Sequence, residues 1–453
     1  MGIPDINKTF YIEQLGCAKN QVDGESLTTV LLHPGFTEVP TPEEADYILV
    51  NTCGFIEAAK KESLEVTLEL RNRFPQKKII LTGCLSERYG KELFQNLPEV
   101  NGVFGNRDLS RIYEVLQRIE KGERNLLIPE TYASSPPRTL QDKQKGYTYI
   151  KIAEGCRNRC TYCAIPLIRG SLRSRKITEI REEIETFLSL GIRELNLVAQ
   201  DLGSYGMDLG EKEGEGLIQL LQELQSLPQK FWIRLLYIHP ERFPLKVLDL
   251  CKADERFLPY FDLPFQHASP SILRAMGRKK DSKAYLELIQ QIREQVPSAV
   301  LRTTFLVGFP GETNADFEEL LRFQEAAQFD WVGVFSYSAE DGTAAAELDK
   351  KRSLHVPKRI AKERKKRVES VQESITAVRF DRFIGSTLQV LIEEVVEGEP
   401  IAFGRGYMHA PEVDGVVVVH PYQGGSGDFL TVRVIKRNGI DLEAVPIHNP
   451  RHN

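Results

Sequence analysis

No stretch of the 453 residues is long and apolar enough to span a bilayer, and the polar start from Met1 to Phe10 has no apolar run behind basic residues. Export and membrane insertion are therefore not expected, and a cytoplasmic location is. Basic residues are not in excess either: 59 Lys and Arg stand against 64 Asp and Glu, a net charge of -5. That argues against a bulk nucleic-acid binder, which replaces counterions with Lys and Arg, but leaves room for local basic patches. Cysteine is scarce and odd in number, seven in all. In a large chain without an export signal thiols stay reduced, so metal or redox roles come before disulfides. With 41% hydrophobic and 27% charged residues, the composition is globular and long enough for two or three domains.

Short apolar runs alternate with helical patterns from the start. Phe10 to Leu15, Tyr47 to Val50 and Lys78 to Leu81 read as strands, separated by amphipathic stretches such as Ala58 to Leu70; this is an α/β pattern with an open parallel sheet. From Pro129 to Gly146, Pro129, Ser134, Ser135, Pro136 and Pro137 break all periodicity and read as a linker. A second alternating series has strand candidates at Tyr147 to Ile152, Glu194 to Val198, Trp232 to Leu236, Phe261 to Leu263, Val300 to Val307 and Trp331 to Phe335. Six β/α units in a row predict a partial TIM-like barrel, with functional residues at the carboxyl ends of its strands. Lys350 to Arg379 reads as one basic helix, a solvated connector rather than an RNA contact. After Phe383, β-branched runs punctuated by glycine predict a small antiparallel barrel.

Six of the cysteines fall into two sets. Cys156, Cys160 and Cys163 form C-x3-C-x2-C directly after the first strand of the predicted barrel. A four-iron four-sulfur cluster held by three thiolates keeps one iron open, and that iron can chelate S-adenosylmethionine. A structural zinc site wants four ligands, and no His or Cys nearby in sequence completes one. Cys17, Cys53 and Cys84 are far apart but each follows a strand and has a glycine beside it, in Leu15-Gly16-Cys17, Cys53-Gly54 and Gly83-Cys84. The carboxyl ends of an open parallel sheet lie along one edge, so these three sulfurs can converge there. Cys251 has no such companions and lies on the apolar helical pattern Val247 to Leu250, so it is read as a buried packing residue.

With these motifs the whole chain resembles the radical methylthiotransferases. The resemblance implies an N-terminal methylthiotransferase domain over 1–135, a radical S-adenosylmethionine barrel with the basic connecting helix over 142–379, and a C-terminal, OB-like TRAM domain over 380–450. It implies two four-iron four-sulfur clusters, one on Cys156, Cys160 and Cys163 that cleaves S-adenosylmethionine, and an auxiliary one on Cys17, Cys53 and Cys84. Ala164-Ile165-Pro166-Leu167-Ile168-Arg169-Gly170, Arg173-Ser174-Arg175, Ala199-Gln200-Asp201 and Tyr205-Gly206 look like the members that methylthiolate an aspartate of ribosomal protein S12 of the small subunit. Members that modify an adenosine in tRNA tend to carry Gly-Gln-Asn in place of Ala199-Gln200-Asp201. The segments 199–206, 262–267 and 307–312 match strand ends around the cofactor in this family. Tyr162, Gln200, Asp201, Tyr205, Gln266, Gly308 and Glu312 are the cofactor-binding candidates that follow. Gln266 and His267 fit a ribose or substrate contact, though a histidine there is as often structural; Gly308, Gly311 and Glu312 read equally well as a turn opening a helix, with Pro310 and Glu312 in its first turn.

The β carbon of an aspartate has no acidic proton and no leaving group, so a radical route is expected and no general base is. The family picture adds an electron donor protein and a sulfur source as partners, with a second S-adenosylmethionine used for methylation. The C-terminal segment carries ten acids, Asp381, Glu393, Glu394, Glu397, Glu399, Glu412, Asp414, Asp428, Asp441 and Glu443, against six basic residues. An acidic surface there would suit a basic ribosomal protein better than RNA. The rival readings are a tRNA-modifying enzyme and a non-catalytic metal- or RNA-binding protein whose cysteines hold zinc.

Overall fold

A computed structural model describes residues 8–133, 138, 140 and 145–447; much of the expected linker, 134–137, 139 and 141–144, lies outside the described residues. The first sheet has strands β1 (Thr9–Gln14), β2 (Thr37–Glu38), β3 (Tyr47–Thr52), β4 (Lys78–Gly83), β5 (Gly102–Phe104) and β6 (Asn125–Leu127), in the order β2-β1-β3-β4-β5-β6. Every pairing is parallel. Helices cover both faces, so β3 is buried at all six positions and reads as a continuous apolar run rather than an alternation. Leu27, Ile112 and Val115 pack on one face, Leu70, Leu85 and Leu93 on the other. The strand order reverses between β1 and β3, and in open α/β sheets ligands bind outside the carboxyl ends at such a point.

The central sheet is an open arc of six parallel strands: β7 (Tyr147–Lys151), β10 (Glu194–Val198), β11 (Trp232–Leu236), β12 (Phe257–Asp262), β13 (Val300–Val307) and β14 (Trp331–Ser336). A two-stranded ribbon, β8 (Ala153–Glu154) with β9 (Arg173–Ser174), flanks it. Ile150, Leu195, Ile233, Phe261 and Leu301 point outward under the helices, while Tyr149, Trp232, Tyr260 and Trp331 line the inner face. Strand β12 begins at Phe257 rather than Phe261. Pro259 reads as a break in the sequence, yet the register against β11 shifts there, between Ile233 and Leu235, and a proline is tolerated at such an irregularity.

One helix boundary also moves. The basic helix runs Lys358–Asp381 instead of starting at Lys350, because the residue before Pro357 is pushed out of helical backbone. The helix after β13 spans Asn314–Ala327, as its apolar pattern predicts, and Thr313 caps it, with the Thr313 side chain on Asp316 N and the Asp316 carboxylate on Thr313 N. Glu312 therefore lies in the turn.

The third sheet closes as β15-β16-β17-β19-β18, with β15 (Thr387–Val395), β16 (Ala402–Arg405), β17 (Val417–Val419), β18 (Phe429–Asn438) and β19 (Asp441–Pro446). Four pairings are antiparallel, as expected, and β17 with β19 is parallel. A closed ring of five cannot alternate direction all the way round, so one pair must run together. This barrel sits against the amino ends of the central strands. Trp331 Nε1 donates to Met408 O at 2.8 Å, Tyr260 Oη to Asp414 at 2.6 Å, and Arg405 pairs with buried Glu194 at 2.7 Å.

That seating corrects the acid count. Asp414 is spent inside the arc, Glu412 accepts from Tyr147 and Tyr149, Glu393 pairs with Arg405, and Asp381 and Glu443 pair with Arg437 and Lys436. Asp381 and Glu412 stay exposed although partnered, and Glu394, Glu397, Glu399 and Asp428 are exposed as well.

Candidate active site

The three scattered cysteines follow three neighbouring strands. Cys17 succeeds β1, Cys53 β3 and Cys84 β4, flanking the reversal point. Strands lie about 4.8 Å apart, so three adjacent ends span roughly 10 Å, the width of a cluster rather than of one ion. The thiols interact: the Cys84 sulfur feels the charges of Cys17 and Cys53. Among the described residues no group of three His, Cys, Asp or Glu side chains is set to hold a single metal ion. Gly83 explains the approach of Cys84, with φ +87 and room for no Cβ, which would meet Thr52 O at 2.6 Å.

Cys156, Cys160 and Cys163 lie on the loop between β8 and the short helix Ile165–Arg169, and they line a cavity of about 610 Å³ together with Asn158, Leu167 and Gly342. Gly155 precedes them with φ +75; a Cβ there would sit 2.1 Å from Ser171 O. Beside this loop, Arg278 is 5% exposed and donates to Tyr162 Oη at 3.1 Å, while its Nε and Nη1 have no partner. A buried guanidinium with unmet donors is costly, and an anionic iron-sulfur centre on this loop supplies the missing acceptor. The residues thus fit a cluster at both triads.

Cys84 meets the short helix that follows the cysteine loop. Cys84 packs against Ala164 and Ile168, directly after Cys163. Arg169, 3% exposed, donates from Nη2 to Cys84 Sγ at 2.9 Å and from Nη1 to Asp23 at 2.5 Å and Glu154 at 3.1 Å. Lys151 closes the quartet on Asp23 and Glu154, at 2.5 and 2.8 Å. Burial alone would raise the Glu154 carboxyl, but Arg169 and Lys151 hold it well below the usual range. Arg88 and Lys60 grip Glu340, at 2.6 and 3.0 Å, from the other side of the first sheet.

The remaining candidates divide. Gln200 Nε2 donates to Glu154 at 2.9 Å and its Oε1 is buried without a partner, so it stands in the charged quartet. Gln266 lies past the end of β12, bridged to Phe305, with φ +70, backbone strain that a non-glycine residue holds only where the surroundings impose it. Tyr162 turns into an apolar pocket with Ile272, Met276 and Phe309 and anchors the loop. Asp201 is consumed by Asn158, Ser204 and the Gly203 and His239 amides. Tyr205 is core, its hydroxyl on Arg175 O at 2.7 Å. Gly308 and Glu312 form a turn, the carboxylate accepting from the amides of Gly308 and Phe309 and pairing with Arg364 at 3.2 Å. His267 is fully buried, with Nδ1 on Ser269 N and Nε2 3.9 Å from Glu312. Burial, then Arg278 and Arg242, drives His239 down to about 2, so it stays neutral. Cys251 packs at the edge of the central core. Arg169 sits in a motif the sequence reading quoted, but Arg278, Lys151 and Asp23 carry no sequence signal of their own.

Burial pushes the Cys84 and Cys163 thiols up to about 12 and Cys156 to about 11. The metal-free fold thus binds these protons more tightly than the unfolded chain, where thiols ionise near 9. Their stabilising effect is full below pH 9 and falls as pH rises toward 11 or 12. Metal-free protein should lose denaturation resistance between pH 9 and 11 more steeply than cluster-loaded protein, whose thiolates are already ionised. Parallel pH profiles for both forms test the ligand set.

Comparison with known proteins agrees with this architecture. Residues 9–105 match the uncharacterized protein family UPF0004, 150–323 the radical SAM superfamily and 384–447 the TRAM domain. The radical S-adenosylmethionine methyltransferase TsrM of Kitasatospora setae shares the fold, with a TM-score of 0.52 at 16% identity over 72% of each chain. Fold and site together define a radical SAM methylthiotransferase. Proteins named ribosomal protein uS12 methylthiotransferase RimO are 41% identical in Treponema denticola, over 95% of this chain and 99% of that protein, and 42% identical in Aquifex aeolicus, over 95% of each. The chain belongs to the RimO family.

Proposed function

We propose that the chain transfers a methylthio group to the β carbon of an aspartate in ribosomal protein uS12, using two four-iron four-sulfur clusters and two molecules of S-adenosylmethionine. The observation that carries this reading is the contact of Cys84 with the helix that follows the cysteine loop, against Ala164 and Ile168 and under Arg169. Two centres must share one space if sulfur presented at one is to reach a carbon activated at the other. When bound, the cluster and S-adenosylmethionine supply a carbon radical that removes an unactivated hydrogen. The protein's part is to hold, orient and exclude water. Cys156, Cys160 and Cys163 hold the first cluster, with Arg278 supplying charge beside it; Cys17, Cys53 and Cys84 hold the auxiliary one.

Gln200 and Gln266 stand where a cofactor would reach, while Asp201, Tyr162, Tyr205, Gly308 and Glu312 keep the surrounding loops in shape. Residues 1–135 form the auxiliary-cluster domain, 142–379 the radical domain and 380–450 the TRAM domain. An electron donor protein and a sulfur source complete the reaction, in the cytoplasm where ribosomes are; no helix among the described residues is long and apolar enough to cross a membrane.

The deciding experiment is anaerobic reconstitution with iron, sulfide, reductant and S-adenosylmethionine, offering uS12 and tRNA side by side. Mass spectrometry should find the methylthio group on an aspartate of uS12. Transfer to tRNA alone, or stoichiometric zinc with no iron at either triad, would refute the reading.

A further inference from the structure

The rim of the cleft carries a charge that neither the fold nor the cluster loops use. Arg157 and Arg159 are exposed on the cysteine loop, and Arg274, Lys279 and Lys280 are exposed on the segment bound to it. Thr161 N donates to Met276 O at 3.2 Å and Thr161 Oγ1 to Ala275 O at 2.7 Å, and a Cβ on Gly277 would lie 2.8 Å from Arg159 O. These five cations therefore lie on two adjoining segments, with Arg157 and Arg159 at the cavity itself. Exposed Lys351 and Arg352 extend the rim, past the helix Ala344–Asp349 that ties back through Ala345 N to Thr161 O at 2.9 Å.

Carboxylates nearby are committed elsewhere. Glu241 accepts the Lys279 and Lys280 amides at 2.7 and 3.2 Å, Asp281 caps the helix Ser282–Gln295, Glu347 pairs with Lys350, and Asp349 with His355. Asp201 is taken by Asn158 and Ser204. Counting Glu241, Asp281, Asp341, Glu347 and Asp349 against Arg157, Arg159, Arg274, Lys279, Lys280, Lys350, Lys351 and Arg352, this face keeps an excess of positive charge in a chain of net charge -5.

Such a rim repels a basic protein segment and attracts a phosphate backbone. A ribosomal protein free in solution offers the wrong charge, whereas in the assembled particle it is embedded in RNA. We propose that the cationic rim docks ribosomal RNA beside uS12, so that the assembled small subunit, rather than isolated uS12, is the substrate the enzyme is built for; this rests on the reading of uS12 as target.

The test uses cluster-loaded enzyme and its variants R274E/K279E/K280E and K351E/R352E, with R274K/K279R/K280R as the charge-kept control. Each is offered isolated uS12 and purified small subunits over a series of salt concentrations, and iron content and S-adenosylmethionine cleavage are measured alongside. The wild type should modify subunits faster than isolated uS12. The triple reversal should lower the rate on subunits at least tenfold and leave the rate on isolated uS12 unchanged or raised. The slope of log affinity for subunits against log salt should flatten by about 2, at roughly 0.7 per lost phosphate contact. K351E/R352E should act in the same direction, and the charge-kept variant should match the wild type. Equal losses on both forms of uS12, an unchanged rate and slope on subunits, or binding lost toward tRNA but not toward subunits would overturn the proposal. If cluster-loaded wild type cleaves S-adenosylmethionine yet modifies neither form of uS12, the target reading falls and this inference with it.

Discussion

Cys160→Ala should abolish cleavage of S-adenosylmethionine, while Cys53→Ala should leave cleavage running and transfer no sulfur. The difference follows from where the two thiols sit. Cys160 lies between Cys156 and Cys163 on the loop that lines the 610 Å³ cavity, and a cluster with one ligand fewer no longer has a defined open iron for the cofactor. Cys53 belongs to the other sheet, after β3, with its amide held by Ser63 Oγ at 3.1 Å. Its loss removes a ligand from the auxiliary centre without touching the cysteine loop. Chromatography of 5′-deoxyadenosine, mass spectrometry of uS12 and iron counts per chain separate the effects: roughly half the iron remains in each variant, but only C53A forms deoxyadenosine. Equal loss of cleavage in both, with folding intact, would contradict the division.

Arg169→Met should be the most damaging substitution outside the cysteines. Among the described residues the side chain is the one cation that touches Cys84, Asp23 and Glu154 together, and it spans the first sheet and the central arc. Removing it leaves the two carboxylates with Lys151 as their shared cation and Gln200 as a neutral donor to Glu154, and breaking a buried charge network of this kind costs about 3–5 kcal/mol. Thermal or urea unfolding of metal-free protein should register that loss, and reconstituted protein should retain less iron at the auxiliary triad than at the cysteine loop. Arg169→Lys should recover part of the stability and little of the iron, because a single ammonium cannot serve a carboxylate pair and a thiolate at once. A variant as stable and as iron-rich as the parent would show that the two units dock by other contacts.

The six proposed sulfur ligands stand out in the sequence by the C-x3-C-x2-C spacing or by a glycine beside the thiol. A glycine stands immediately before Cys17, Cys84 and Cys156, each with positive φ, at φ +91, +87 and +75. Strand alternation then placed the thiols at strand ends. What surrounds them was not legible. Arg169 and Cys84 are 85 residues apart, and Arg278 reaches Tyr162 across 116; no periodicity encodes such pairings. The same limit explains the tally of C-terminal acids. Asp414 and Glu393 look like surface charges in sequence but are buried against partners 154 and 12 residues away, Tyr260 and Arg405. Tyr205 and Asp201 drew attention by motif, and turned out to spend their polar atoms on neighbouring backbone and side chains rather than on the cleft. Strand β12 begins at Phe257, ahead of the expected Phe261, because a shift of register accommodates Pro259.

The C-terminal barrel, seated on the amino ends of the central strands with Asp414 and Met408 bonded to Tyr260 and Trp331, stoppers one end of the arc. The cysteine-lined cavity lies at the opposite, carboxyl side of the arc, so whatever enters it does so away from the stopper. A target that covered that mouth would follow the cofactor in and precede the spent methionine and nucleoside out.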